Sequence, residues 1–133
     1  MSVVRFGVSL EKEILDELDD FVNKNHFSNR SQAIRSLISK KLVVKDWEEN
    51  QEVAGAISLV YDHHKRDLLN KLADMQHDFF DIILSAQHFH LDHDNCLEII
   101  AVKGQAFKIK ELANKLIALK GIQHGTLSMS NKP

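Results

Sequence analysis

His88-Phe89-His90-Leu91-Asp92-His93-Asp94-Asn95-Cys96-Leu97-Glu98 joins two strand-like runs, Phe80 to Leu91 and Cys96 to Val102. Between the runs, Asp92-His93-Asp94-Asn95 is a cluster of turn formers whose short polar side chains bond to their own backbone. The stretch reads as a β-hairpin. Successive side chains of a strand point to opposite faces, so His88 and His90 share one face, and Cys96 lies just across the turn on the neighbouring strand.

Working outward, Val53 to Tyr61 reads as an apolar strand, and Lys65 to Gln76 as a helix carrying Leu68, Leu69, Leu72, Ala73 and Met75. After the hairpin, Gln105 to Leu119 repeats the helical spacing with Phe107, Ile109, Leu112, Ala113, Leu116 and Ile117. Gly121 stops it, and a last strand runs from Ile122 to Met129. The order βαββαβ predicts an α+β, ferredoxin-like domain over residues 53–133, with four antiparallel strands and both helices on one face.

The first 45 residues follow another pattern. Val4, Phe6 and Val8 alternate with Arg5, Gly7 and Ser9 over a strand from 3 to 9. Ile14, Leu15, Leu18, Phe21 and Val22 then mark an amphipathic helix over 11–24. Asn29 and Gln32 have capping-box spacing ahead of a second stripe, Ala33, Ile34, Leu37, Ile38 and Leu42. A lone strand in so small a module leaves its backbone groups unpaired, and pairing with the same strand of a second chain supplies the partner. The resulting two-stranded ribbon exposes Arg5, Gly7 and Ser9 and has the width of the DNA major groove. The second helix would aim its first amides, around Ser28, Asn29 and Arg30, at a phosphate. Residues 46–52, within the polar run Lys45-Asp46-Trp47-Glu48-Glu49-Asn50-Gln51-Glu52, read as a linker, with Trp47 expected to pack on one of the two domains.

Composition limits the function classes. Among 133 residues, 44% are apolar and 27% charged, with one proline and five glycines, which describes a folded chain. A net charge of -2 excludes a polycation that coats nucleic acid by charge alone, so DNA binding must come from a local surface. One cysteine makes no internal disulfide, and no apolar run is long enough to span a membrane, so a cytoplasmic address and no membrane partner are expected.

Histidine is the unusual entrant. Six of the eight histidines, His63, His64, His77, His88, His90 and His93, precede the sole cysteine within a short window. Two imidazoles and a thiolate on a rigid hairpin form a three-donor metal set that wants a fourth ligand. His77, near the end of the preceding helix, is the candidate, and spacing leaves open whether it comes from the same chain or another. His93 reads as solvated, His63, His64 and Asp62 as at most a secondary patch, and His26 and His124 as non-ligands. These donors leave the ion open among nickel, zinc, copper and cobalt. A small metalloenzyme with Glu98 as base has no use for the first module, and a small-molecule sensor leaves the cluster unexplained, so no enzyme is expected.

Arg5-Phe6-Gly7-Val8-Ser9-Leu10 and Asn29-Arg30-Ser31-Gln32-Ala33-Ile34-Arg35 resemble the ribbon-helix-helix DNA-binding family. Tyr61-Asp62-His63-His64-Lys65-Arg66-Asp67, Gln76-His77, His88 to Glu98 and Gly121-Ile122-Gln123-His124-Gly125 resemble the ACT-like sensor domain of nickel-responsive regulators of the NikR type. The resemblance implies a sequence-specific transcriptional regulator of nickel uptake or nickel-dependent genes, a homotetramer built as a dimer of dimers on a palindromic operator. It implies one Ni²⁺ per chain, bound in a plane by His88, His90 and Cys96 of one chain and His77 of another. It also implies that Tyr61, Gln76 and Glu98 orient the ligands and that Lys65 and Arg66 meet DNA phosphates. Two departures stand out: Gln32 and Ser36 replace an acidic pair that helps hold a second cation, and Gly7 stands where a hydroxyl residue is common.

Overall fold

The computed structural model describes residues 2–132. The chain divides between Lys41 and Leu42 into two compact units.

The first unit holds helix α1 (Lys12–Lys24) and the start of helix α2 (Arg30–Glu48). The cap forms as the spacing predicts: Asn29 Oδ1 accepts the Gln32 amide at 2.9 Å, and Gln32 Oε1 accepts the Ser28 amide at 2.6 Å. Two otherwise orphaned donors at the helix start are thereby satisfied. The Arg30 guanidinium forks onto the Asp19 carboxylate at 2.8 and 3.0 Å and clips α2 to α1. Residues 3–9 form no strand, contrary to the expectation for this segment taken alone. A strand exists only by pairing, and no partner for it lies among the described residues. Phe6 is 76% exposed, and Ala33 is the only fully buried apolar residue of the unit among those described.

The second unit has its own core. Strands β1 (Glu52–Asp62), β2 (Ile83–His90), β3 (Asn95–Gln105) and β4 (Ile122–Asn131) form one antiparallel sheet in the order β2-β3-β1-β4, and helices α3 (Arg66–Asp78) and α4 (Ala106–Ile117) complete the βαββαβ plan. Alternation along β1 and β3 buries Ile57, Leu59, Tyr61, Cys96, Glu98, Ile100 and Val102 on one face. Leu68 and Leu72 of α3 and Ile109, Leu112 and Leu116 of α4 join all of these but Glu98 in a single apolar cluster. Gly121 adopts φ +105°, a conformation that suits glycine, where the chain turns from α4 into β4.

Two expectations need correction. Phe80 does not begin a strand: Phe80–Ile82 is a 3₁₀ turn that drops Ile82 into the core, and β2 starts at Ile83. The run Phe79, Phe80, Ile82, Ile83 lacks the alternation that a half-buried strand requires. The polar run 46–52 is not a free linker either, because α2 continues through Trp47 to Glu48. Trp47 is buried, and its indole N–H donates to the Ser130 carbonyl at 2.9 Å. Its ring fills the space left by Gly55, where an added Cβ would stand 3.4 Å from the ring and 2.6 Å from the Ser128 carbonyl oxygen. The polar neighbours anchor as well: Asn50 Oδ1 accepts the Phe107 amide at 2.9 Å, and the Gln51 carbonyl accepts that of Ala106 at 3.0 Å, both at the start of α4.

Replacing Trp47 with Ala therefore removes both a core ring and a bond to β4. The expected loss is about 3–5 kcal/mol in urea unfolding followed by circular dichroism, with a smaller loss for Trp47→Phe, which keeps most of the apolar contact.

Candidate metal centre

The hairpin register sets the site. His90 stands opposite Cys96, and His88 opposite Glu98, across β2 and β3, while Cys96 in turn faces Tyr61 on β1. All five side chains therefore project from the helix-covered face of the sheet. β2 is an edge strand, so His88 and His90 lie exposed at the margin of that face, whereas Cys96, Glu98 and Tyr61 are buried beneath it.

Glu98 organises these groups. Only 1% exposed, its carboxylate accepts the Tyr61 hydroxyl at 2.7 Å on one oxygen and the Gln76 side-chain amide at 2.9 Å on the other. His88 Nε2 lies 3.5 Å from Oε2 of Glu98, and Tyr61 Oη lies 3.4 Å from His88 Nδ1. A buried carboxylate needs such partners, because an unpaired one costs several kcal/mol. Burial, then the bonds to Glu98 and Cys96, push the Tyr61 hydroxyl well above its usual range, so it remains a donor.

The structure thus brings together Tyr61, Gln76, His88 and Glu98, with His90 and Cys96 paired on the same face. It does not bring His77 to them. His77 is exposed on the last turn of α3, with its ring 6.4 Å from that of Phe80. Among the described residues, neither His77 nor the pair His88 and His90 belongs to a group of three metal-binding donors lying within 4.8 Å of one another. Arg5, Gly7 and Ser9 are exposed, and a Cβ at Gly7 would meet nothing within 4 Å. Ser28, Asn29 and Arg30 sit at the start of α2, with the Arg30 side chain committed to Asp19. Lys65 and Arg66 are exposed at the start of α3.

The sequence reading put His63 and His64 in at most a secondary patch with Asp62 and missed that His93 gathers with them. His63 and His64 stack with ring centres 4.1 Å apart, and the His63 ring meets that of His90 edge-on at 4.9 Å. The Nε2 atoms of His63 and His64 lie 2.8 and 3.2 Å from the His93 carbonyl oxygen. The available signal was His-His closing one strand while Asp-His-Asp closes the hairpin, but only the sheet register brings those two ends together.

The family model described as "NikR C terminal nickel binding domain" matches residues 54–130. The chain belongs to the NikR family. A relative from Syntrophus aciditrophicus, named as a nickel-responsive regulator, is 59% identical over 128 residues, covering 96% of this chain and 93% of its own. One of the same name from Chlorobium phaeobacteroides is 50% identical over 129 residues, covering 97% and 96%. An uncharacterized protein of Thermotoga maritima, TM1266, shares the fold of the second unit's kind at a TM-score of 0.54 and 14% identity, covering 59% of this chain and 98% of its own. The matched domain is a nickel-binding one on an α+β architecture, and its metal is Ni²⁺. The residues present fit that ion: imidazole nitrogens and a thiol suit Ni²⁺, and they share a face whose outer margin is open to a further donor. No helix among the described residues is long and apolar enough to cross a membrane.

Removing the Tyr61 hydroxyl leaves the buried Glu98 carboxylate one donor short. Tyr61→Phe is expected to lower stability by ~1–3 kcal/mol in urea unfolding. Nickel affinity, measured by competition with a chelator, is expected to fall roughly 10–100-fold through loss of His88 orientation.

Proposed function

We propose that the chain is a cytoplasmic, nickel-dependent, sequence-specific DNA-binding regulator rather than an enzyme, and that His88, His90 and Cys96 of one chain with His77 of another hold one Ni²⁺ per chain. The observation that carries this reading is the shared face of His88, His90 and Cys96 above the buried Glu98. Nickel, when bound, supplies a bond between chains through donors from both. Tyr61, Gln76 and Glu98 hold the His88 ring in place. His77 projects from the same helix end as Gln76, away from its own hairpin, which favours a donor given to a second chain.

Association of chains has independent support in each unit. In the first, Phe6, Val8, Leu10, Ile14, Leu18 and Phe21 help line an open apolar groove of about 390 Å³ in a module with almost no core of its own. A second copy pairing its strand along residues 3–9 would cover that groove and turn Arg5, Gly7 and Ser9 toward the major groove. Asn29 and Arg30 would then meet phosphate through their amides at the start of α2, and Ser28 through its hydroxyl, its amide being held by Gln32. In the second unit, the sheet face opposite the helices carries Val60, Leu97, Ile99 and Ala101, only half buried in one chain. Burial of that face supports a dimer of dimers with a ribbon-helix-helix domain, residues 1–45, at each end, and Lys65 and Arg66 as added phosphate contacts on a palindromic operator.

Titration of the apoprotein with nickel, followed by ultraviolet absorption, tests the ligand set. About one equivalent per chain should produce thiolate-to-nickel charge transfer that Cys96→Ala abolishes and His77→Ala weakens. A palindromic duplex selected from a random pool by the nickel-loaded protein should bind at fixed salt far more tightly with nickel than without it. Equal affinities would overturn the sensor reading. Arg5→Ala should cost ~1–3 kcal/mol on the selected duplex and little on random DNA.

A further inference from the structure

One large apolar side chain stands beside His77, the donor that the proposed reading gives to a second chain. Phe80 is 72% exposed, and its ring centre lies 6.4 Å from that of His77 with the two planes at 39°. The separation falls within the range of favourable aromatic pairs. The backbone creates the pair: α3 ends at Asp78 and the 3₁₀ turn Phe80–Ile82 follows, so residues three apart come to one side. A single exposed Phe is ordinary on a protein surface. What distinguishes Phe80 is that the chain around it is tied down. Phe79 is buried, with the Lys115 ammonium 5.5 Å from its ring centre. The Asp81 carboxylate takes the Lys108 ammonium, Ile82 is buried in the core, and the Phe80 carbonyl accepts the Ile83 amide. A phenyl ring is thereby held out into solvent on a fixed backbone.

We propose that Phe80 is a positioning residue for the shared nickel centre, its ring holding the His77 imidazole in the orientation in which a second chain receives it. The proposal rests on the reading that His77 is the donor from another chain. The two kinds of histidine are then oriented differently. His88 has polar neighbours, the buried Glu98 and Tyr61, whereas the ring neighbour of His77 among the described residues is Phe80. A donor at an exposed helix end otherwise samples several rotamers, and fixing one of them on binding costs affinity. A phenyl ring packed beside the imidazole removes part of that cost before the ion arrives. It also carries no hydrogen-bonding group, so neither imidazole nitrogen is occupied by it.

A double-mutant cycle on the full chain, read as nickel affinity in competition with a chelator, tests the proposal. Phe80→Ala should weaken nickel binding about 3–10-fold, and Phe80→Tyr, which keeps the ring, should match the wild type. In a His77→Ala background, Phe80→Ala should change nothing further. The same loss in both backgrounds would assign Phe80 to general packing and overturn the proposal, as would a Phe80→Ala variant that binds nickel like the wild type. Circular dichroism of the metal-free variants should coincide with that of the wild type, because the phenyl is exposed. Should Phe80→Ala disturb the fold, Phe80→Leu, which keeps apolar bulk without the ring, carries the same cycle. A His77→Ala variant that binds nickel as tightly as the wild type would instead remove the shared-donor reading on which the proposal stands.

Discussion

The second unit is organised around a carboxylate that has no business being buried unless it is satisfied. Glu98 sits in the middle of the sheet's covered face with Tyr61 on one oxygen and Gln76 on the other. Those bonds connect β1, β3 and α3, and the adjacent His88 brings in β2. An apolar residue at this position would spare the desolvation cost, and what Glu98 supplies instead is the positioning of Tyr61 and Gln76. It holds the end of α3 over the sheet at the margin where the two hairpin histidines emerge. Consecutive residues on that helix then diverge: Gln76 faces inward to its own chain's carboxylate, and His77 stays in solvent.

The order βαββαβ was legible because each element of the second unit carries its own period, and the apolar residues of α4 and β3 alternate as helix and strand demand. The register that pairs His90 with Cys96 follows from the brevity of the turn. What was not legible depends on contacts distant in sequence. Trp47 and Asn50 lie in a polar run that looks like a linker, and only Ser130 and Phe107, far along the chain, make that run an anchor. His93 read as a solvated turn residue because nothing local indicates that the loop after β1 ends beside it. For the same reason the strand over 3–9 could be inferred from alternation but is not formed in the structure, where no strand among the described residues pairs with it.

The two units differ in kind. The second buries a continuous core of its own, whereas the first buries Ala33 and leaves Phe6, Val8 and Ile14 exposed. In the proposed reading, a unit whose apolar surface finds no cover among the described residues draws its stability from association, and its folding is linked to protein concentration. The two units then unfold in separate transitions, and the urea unfolding of Trp47 and Tyr61 variants reads the transition of the second. In the proposed reading, this division is also what makes a sensor workable. A module that is ordered only in pairs responds to how chains are brought together, and His77, given away by each chain, sets that arrangement through the second unit. The metal then needs no contact with DNA, because differential stabilisation of one arrangement of chains is enough to shift the population that fits an operator.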